Sequence, residues 1–180
     1  MGTLTVITEP TAEPVTLSEL KAALGVDHPG DDVELLSLIK HSREIAEKYL
    51  NRYIMTQTIE LSFDRFADGT IPLNVWPLAS IDSVKYDDTS SPSAEITLTV
   101  GDDYYADTTT EGGRVSVISG WPGTYPKPNA VRIRMTAGYA DADSVPSAIK
   151  RGIILWAGGI YKCPDYIESA KMTLRPFRIL

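Results

Sequence analysis

Along the first third of the chain, apolar residues recur at helical intervals. Thr16-Leu-Ser-Glu19 has the form of a capping box, in which the Thr16 hydroxyl takes a backbone N–H and Glu19 reaches back. Leu17, Leu20 and Leu24 follow on one face, and Gly25 is a natural stop. After a loop containing Pro29, Gly30 and Asp31, a second stripe passes through Leu35, Ile39, Ala46, Tyr49 and Tyr53. It predicts a long helix from Asp31 or Asp32 to about Ile54, supported by Glu44 four residues before Lys48.

The period then falls to two. Ile59, Leu61 and Phe63 alternate with polar residues, as do Ile71, Leu73 and Val75. Ile81, Val84 and Tyr86, then the segments 95–100, 114–118 and 131–135, continue the pattern between Asp-Gly, Ser-Pro, Gly-Gly and Pro-Gly breaks. About six short antiparallel strands are expected. Helical spacing returns at Ile149, Ile153, Trp156 and Ile160, with Pro146 in the first turn and Pro164 as the end. Each helix is apolar on one side only, so they must pack together. The pattern predicts an α+β fold: a helical core at about 15–55 and 144–163, and an antiparallel β insertion at about 56–140. An extended C-terminal arm at about 169–180 completes one domain.

Charge changes this picture in one place. From Asp82 to Glu111 there are eight acids against one base, Lys85, a surplus equal to the whole chain's net charge of −7. A protein steered to a phosphate backbone would show a basic face instead. So much like charge is costly to bury without matched cations, and the stretch is expected to face solvent. The single Cys163 forms no intramolecular disulfide. No apolar run approaches membrane length, and MGTLTVITEP lacks the basic and apolar regions of a secretory signal.

Candidate chemistry is sparse. The chain has no Gly-x-Ser-x-Gly elbow, no phosphate-binding glycine loop and no Cys-x-x-Cys. Gly101-Asp-Asp103 reads as a solvated turn, and Asp141-Ala-Asp143 as partners of a helix N-terminus. His28 and His41, with Cys163, are too few for a metal centre. Neither a metal nor a cofactor is expected, nor an enzyme. Trp76-Pro77 and Trp121-Pro-Gly123 read as aromatic loop anchors. An alternative function rests on them, a small ligand- or glycan-binding β module using Trp76 or Trp121. The closing stretch KMTLRPFRIL combines apolar residues, cations and a helix-breaking proline, as an arm seeking a surface would.

Blocks spread over nearly the whole chain resemble the tailed-phage head–tail connector family (adaptor, or head-completion, proteins), including its prophage DNA-packaging type. They are EPVTLSELKAALGVD, DDVELLSLIKHSREIAEKYLNRYI, IPLNVWPLASIDSVKYDD, WPG, VRIRMTAGYAD, VPSAIKRGIILWAGGIY and LRPFRIL. The last is similar to that family's Leu-x-Pro-Tyr-Arg element, with Phe177 in place of Tyr. The resemblance implies a structural virion protein at the head–tail interface, assembled in the host cytoplasm. Such a protein forms a homo-oligomeric ring on the portal protein and extends the DNA channel after packaging. It offers a platform to the tail or to a stopper or tail-terminator protein, while DNA passes without sequence-specific contact. Leu174, Arg175, Pro176, Phe177, Arg178, Ile179 and Leu180 then form the arm that docks on the portal or on a neighbouring subunit. The acidic stretch would lie toward the channel or solvent.

Overall fold

The computed structural model describes residues 2–91, 94–110 and 112–179. Its elements are β1 (Thr3–Thr8), α1 (Leu17–Leu24), α2 (Asp32–Leu50), β2 (Gln57–Phe63), β3 (Thr70–Pro72) and β4 (Leu78–Asp87). They continue with β5 (Glu95–Leu98), β6 (Tyr104–Asp107), β7 (Arg114–Val117), β8 (Val131–Ala137), α3 (Ser147–Tyr161), α4 (Tyr166–Leu174) and a 3₁₀ turn (Arg175–Phe177). The fold is mixed α+β, with two antiparallel sheets. The chain divides into a strand unit, residues 1–9 and 56–138, and a helical unit, residues 10–55 and 139–180.

In the helical unit the capping box forms: the Glu19 amide donates to Thr16 Oγ1, and the Thr16 amide to Glu19 Oε2 at 2.7 Å. Gly25 ends α1 in the left-handed region (φ 68°), where a side chain would be strained. The second helix is shorter than its stripe. Asn51 turns left-handed, and the Glu47 carboxylate accepts the Ile54 amide at 2.8 Å, so the chain leaves α2 at Leu50 rather than Ile54. Glu44 lies 3.9 Å from Lys40 and from Arg43, so the helix is laced through those cations.

Helix α3 buries Ile149, Ile153 and Trp156 as its spacing requires, but leaves Ile160 exposed. Tyr49 meets Trp156 edge-on at 5.7 Å. Pro164 does not end the helical structure. It sits in the turn between α3, which ends at Tyr161, and α4, so residues 169–174 are helical where an extended arm was expected. The reason lies in the glycines of α3. A Cβ on Gly152 would come within 2.5 Å of Leu174, and one on Gly159 within 2.6 Å of Ile167. Bare backbone at two positions a heptad apart lets α4 lie unusually close, with Leu174 fully buried at the contact.

In the strand unit β1-β2-β8-β4-β5 form one sheet and β3-β7-β6 the other. The central strands alternate as their sequence does: β8 buries Val131, Ile133, Met135 and Ala137 and turns Arg132, Arg134 and Thr136 outward. Register aligns Leu61, Ile133 and Val84 in one apolar row and Ile59 and Met135 in the next. Two strands had no clear signal, β1 and β6. The alternation of Ile71, Leu73 and Val75 outlasts its strand, because the amides of Leu73 and Val75 donate to the carbonyls of Gly113 and Gly112, each at 3.0 Å.

Candidate docking surface

The C-terminal segment folds back on its own helical unit. Leu174 anchors it in the core. After the 3₁₀ turn, in which Pro176 sits where no amide donor is needed, the Ile179 amide donates to the Leu50 carbonyl at 2.9 Å. Phe177 is half-buried against the same core. The Arg178 guanidinium stands 5.3 Å from the centre of the Tyr49 ring, a cation–π distance, and the Tyr49 hydroxyl donates to the Lys171 carbonyl at 3.3 Å. Arg175, Pro176 and Arg178 are exposed. Leu180 lies outside the described residues. The seven residues therefore divide: Leu174, and in part Phe177 and Ile179, hold the segment down, while the two arginines and the proline face outward. The glycines of α3 were the missed signal, because they reveal that a close-packed partner must cover that helix.

The acidic stretch is not the unmatched block that counting along the chain suggests. Asp87 is buried in the strand unit. Arg132 donates to both of its oxygens, at 2.7 and 3.1 Å, and Lys127 Nζ lies 3.0 Å away. These bonds, Arg132 first, hold its pKa down at about 2 despite burial. Glu95 joins the network through Lys85 at 2.8 Å and Arg132 at 2.9 Å, which lower its pKa. Asp107 takes the hydroxyls of Thr110 and Thr109 and, at 2.9 Å, Arg114; the threonine hydrogen bonds are the main cause of its lowered pKa. The cations on Asp87 come from residues 127 and 132, some 40 and 45 residues on in the chain, and the one on Asp107 from Arg114 on the paired strand β7. Asp102 and Asp103 remain exposed, and Glu111 lies outside the described residues.

The tryptophans are engaged in packing. Trp121 stacks on Phe66 (centroids 4.5 Å apart, planes within 3°) and donates its indole N–H to the Gly69 carbonyl at 2.7 Å. An open depression of about 390 Å³ lies beside them, lined by Arg65, Asp68 and residues 120–124 among others. Trp76 lies against Gly112, where a Cβ would come within 2.7 Å of the indole. His28 is exposed in its loop, and His41 is exposed on α2.

A model of the phage gp6-like head-tail connector family matches residues 14–85. Three solved structures share the fold at 16% identity. One is the neck of an empty GTA particle computed with C6 symmetry (TM-score 0.79, covering 99% of this chain and 96% of the other). The second is the virion of the native gene transfer agent particle (0.79, 98% and 95%). The third is the neck of the native GTA particle computed with C12 symmetry (0.76, 99% and 96%). No curated protein matches the sequence significantly. The resemblance to head–tail connectors is thus borne out, in sequence over residues 14–85 and in fold over nearly the whole chain. These matches are to a connector family and to structural parts of particles, not to an enzyme family.

Proposed function

We propose that the chain is a ring-forming structural adaptor between the portal vertex of a phage-type head and its tail, extending the DNA channel after packaging. The observation that carries this reading is the fold match to neck components over 99% of the chain, joined to the connector match in its first half. A ring of identical copies is supported by the C6 and C12 symmetry of those necks. Portal and a tail or stopper protein are the partners this role requires. The outward face of the tail, Arg175, Pro176 and Arg178, with Phe177 at its edge, is the surface by which a subunit docks on portal or on a neighbour. Paired arginines are suited to carboxylates or carbonyls on the receiving side.

The test is co-sedimentation with portal rings. Arg175→Glu with Arg178→Glu should abolish co-sedimentation while changing unfolding stability by no more than about 1 kcal/mol, the size of one exposed cation–π contact. A double variant that still sediments with portal overturns the arm assignment. A native chain that never sediments with portal overturns the adaptor reading. Deleting residues 174–180 is not an equivalent test, because removing buried Leu174 opens a cavity and costs about 2–5 kcal/mol by itself. Stacking of Trp121 on Phe66 favours packing over ligand binding as the role of that aromatic pair.

A further inference from the structure

We propose that adjacent subunits join edge to edge, with β1 of one copy adding to β5 of the next so that the five-stranded sheet continues from subunit to subunit. The proposal rests on the reading of the chain as a ring subunit.

The sheet β1-β2-β8-β4-β5 ends in two strands that, among the described residues, pair on one side only. Exposed edges are normally blunted by charge, proline or irregular backbone. β1 carries neither charge nor proline between Thr3 and Thr8, only one register irregularity at its end, between Val6 and Thr8, and all six of its residues are exposed.

Side chains reinforce the backbone argument. Three apolar rows cross the sheet: Leu4-Leu61-Ile133-Val84-Leu98, Val6-Ile59-Met135-Ile81 and Phe63-Val131-Tyr86-Ile96. Their middle members are buried, with Ile59, Val84, Val131, Ile133 and Met135 at 0% exposure. Their ends are left open: Leu4 is 42% exposed and Val6 43% at one edge, and Ile96 is 40% exposed at the other. Extending the sheet would complete the hydrogen bonding of both edges and cover these row ends in one step.

The occupant is a second copy, because the two edges differ. β1 against β5 is a heterologous contact, the kind that closes a ring, whereas β1 against β1 would stop at a dimer. Successive antiparallel pairings make β1 and β5 run in the same direction. A neighbour related by rotation about an axis along the strands therefore brings its β1 parallel to β5. Strands spaced ~4.8 Å apart give a five-stranded sheet a width of ~24 Å, so twelve copies would close at a radius of ~46 Å, room enough for a central duplex. Pairing four to six residues buries well under the ~1,000 Å² that a stable dimer needs. The contact is thus expected to be transient between free subunits and to accumulate only when many act together.

Disulfide trapping detects such contacts. In a Cys163→Ser background, full-length single-cysteine variants Thr3→Cys or Thr5→Cys on β1 and Thr97→Cys on β5 are oxidised alone and mixed. Using both β1 positions covers a two-residue slip in register. The expected result is a mixed dimer at least fivefold above either homodimer, and a ladder of trimers and beyond when both cysteines are on one chain. Leu4→Lys with Val6→Lys should abolish the ladder while leaving the circular dichroism spectrum and melting temperature unchanged. Homodimers from β1 cysteines alone, or no enrichment of the mixed product, overturn the proposal. Sedimentation with portal separates it from the adaptor reading: a chain that sediments but gives no ladder loses only the edge contact, and one that gives a ladder but never sediments loses only the portal role.

Discussion

The two units bury opposite charges, and by opposite means. In the helical unit the Arg43 guanidinium is 3% exposed, with Glu13 at 2.7 Å, Glu47 at 2.9 Å and Glu44 at 3.9 Å. In the strand unit the buried group is Asp87, with Arg132 and Lys127 around it. A buried guanidinium cannot shed its charge, so its surroundings must adapt to it. Burial works against the Arg43 charge, but the hydrogen bond to Glu13 and the fields of Glu47, Glu13 and Glu44 raise its pKa overall. Glu47 is the member that yields: burial raises its pKa above the ordinary 4.5 despite the bonds it accepts. Asp87 could be neutralised by a proton, and the fold prevents this with cations that stay partly hydrated. Partners of both groups keep contact with water, Glu13 at 27% exposure and Arg132 at 21%, so the units differ in which member can give up its charge and not in how tightly the site is closed.

The sharpest test of this difference is Arg43→Ala, which takes the cation away from Glu13 and Glu47 and should cost about 3–5 kcal/mol in urea unfolding. A cost below 1 kcal/mol would mean the site hydrates freely and the contrast is false. Asp87→Asn keeps the side chain's shape and one acceptor oxygen for Arg132 and should cost less, about 1.5–3 kcal/mol.

Acid should then separate the two sites by sign. Asp87 has a folded pKa of about 2 against an ordinary 3.8, so the stability it adds is complete above pH 3.8 and is lost as pH falls toward 2. The gap between native chain and Asp87→Asn should close across that window. Glu47, with a raised pKa, binds its proton first in the folded state and so favours folding as pH falls toward 4.5. Glu47→Gln should therefore flatten the pH dependence just above 4.5 and leave the window below it untouched. Smallest of all is Lys85→Ala. It breaks an exposed pair with Glu95 and should shift stability by less than about 0.5 kcal/mol.

Legibility in the sequence followed the range of the forces. The capping box at Thr16, the start of α2 and the strands β2, β4 and β8 are set by neighbours within a few residues, and all are visible in the pattern. β1 hid because its alternation lasts only from Thr3 to Val6 and its partner strand begins at residue 57. α4 hid because Pro164 reads as a stop until the glycines of α3 are seen as a groove. Arg132 is 45 residues from Asp87, so charge counted along the chain misses a pairing made across the sheet. At the candidate site the apolar and cationic character of residues 174–179 was plain. Which of them face inward depends on where α3 lacks side chains, 20 residues upstream and more.

The chain passes between its two units three times, at residues 9–10, 55–56 and 138–139, and this bears on how the protein is made. On the ribosome β1 emerges well before its partner β2, which begins only at residue 57. The strand that joins β2 to β4, β8, comes out at 131–137, and α1 and α2 must wait for α3 beyond it. Neither unit can close until the last third of the chain is free. A nascent chain thus carries an uncovered apolar strand and two half-covered helices through most of its synthesis. Refolding is expected to be slower than that of a helical bundle of equal length, because most of its pairings join distant residues.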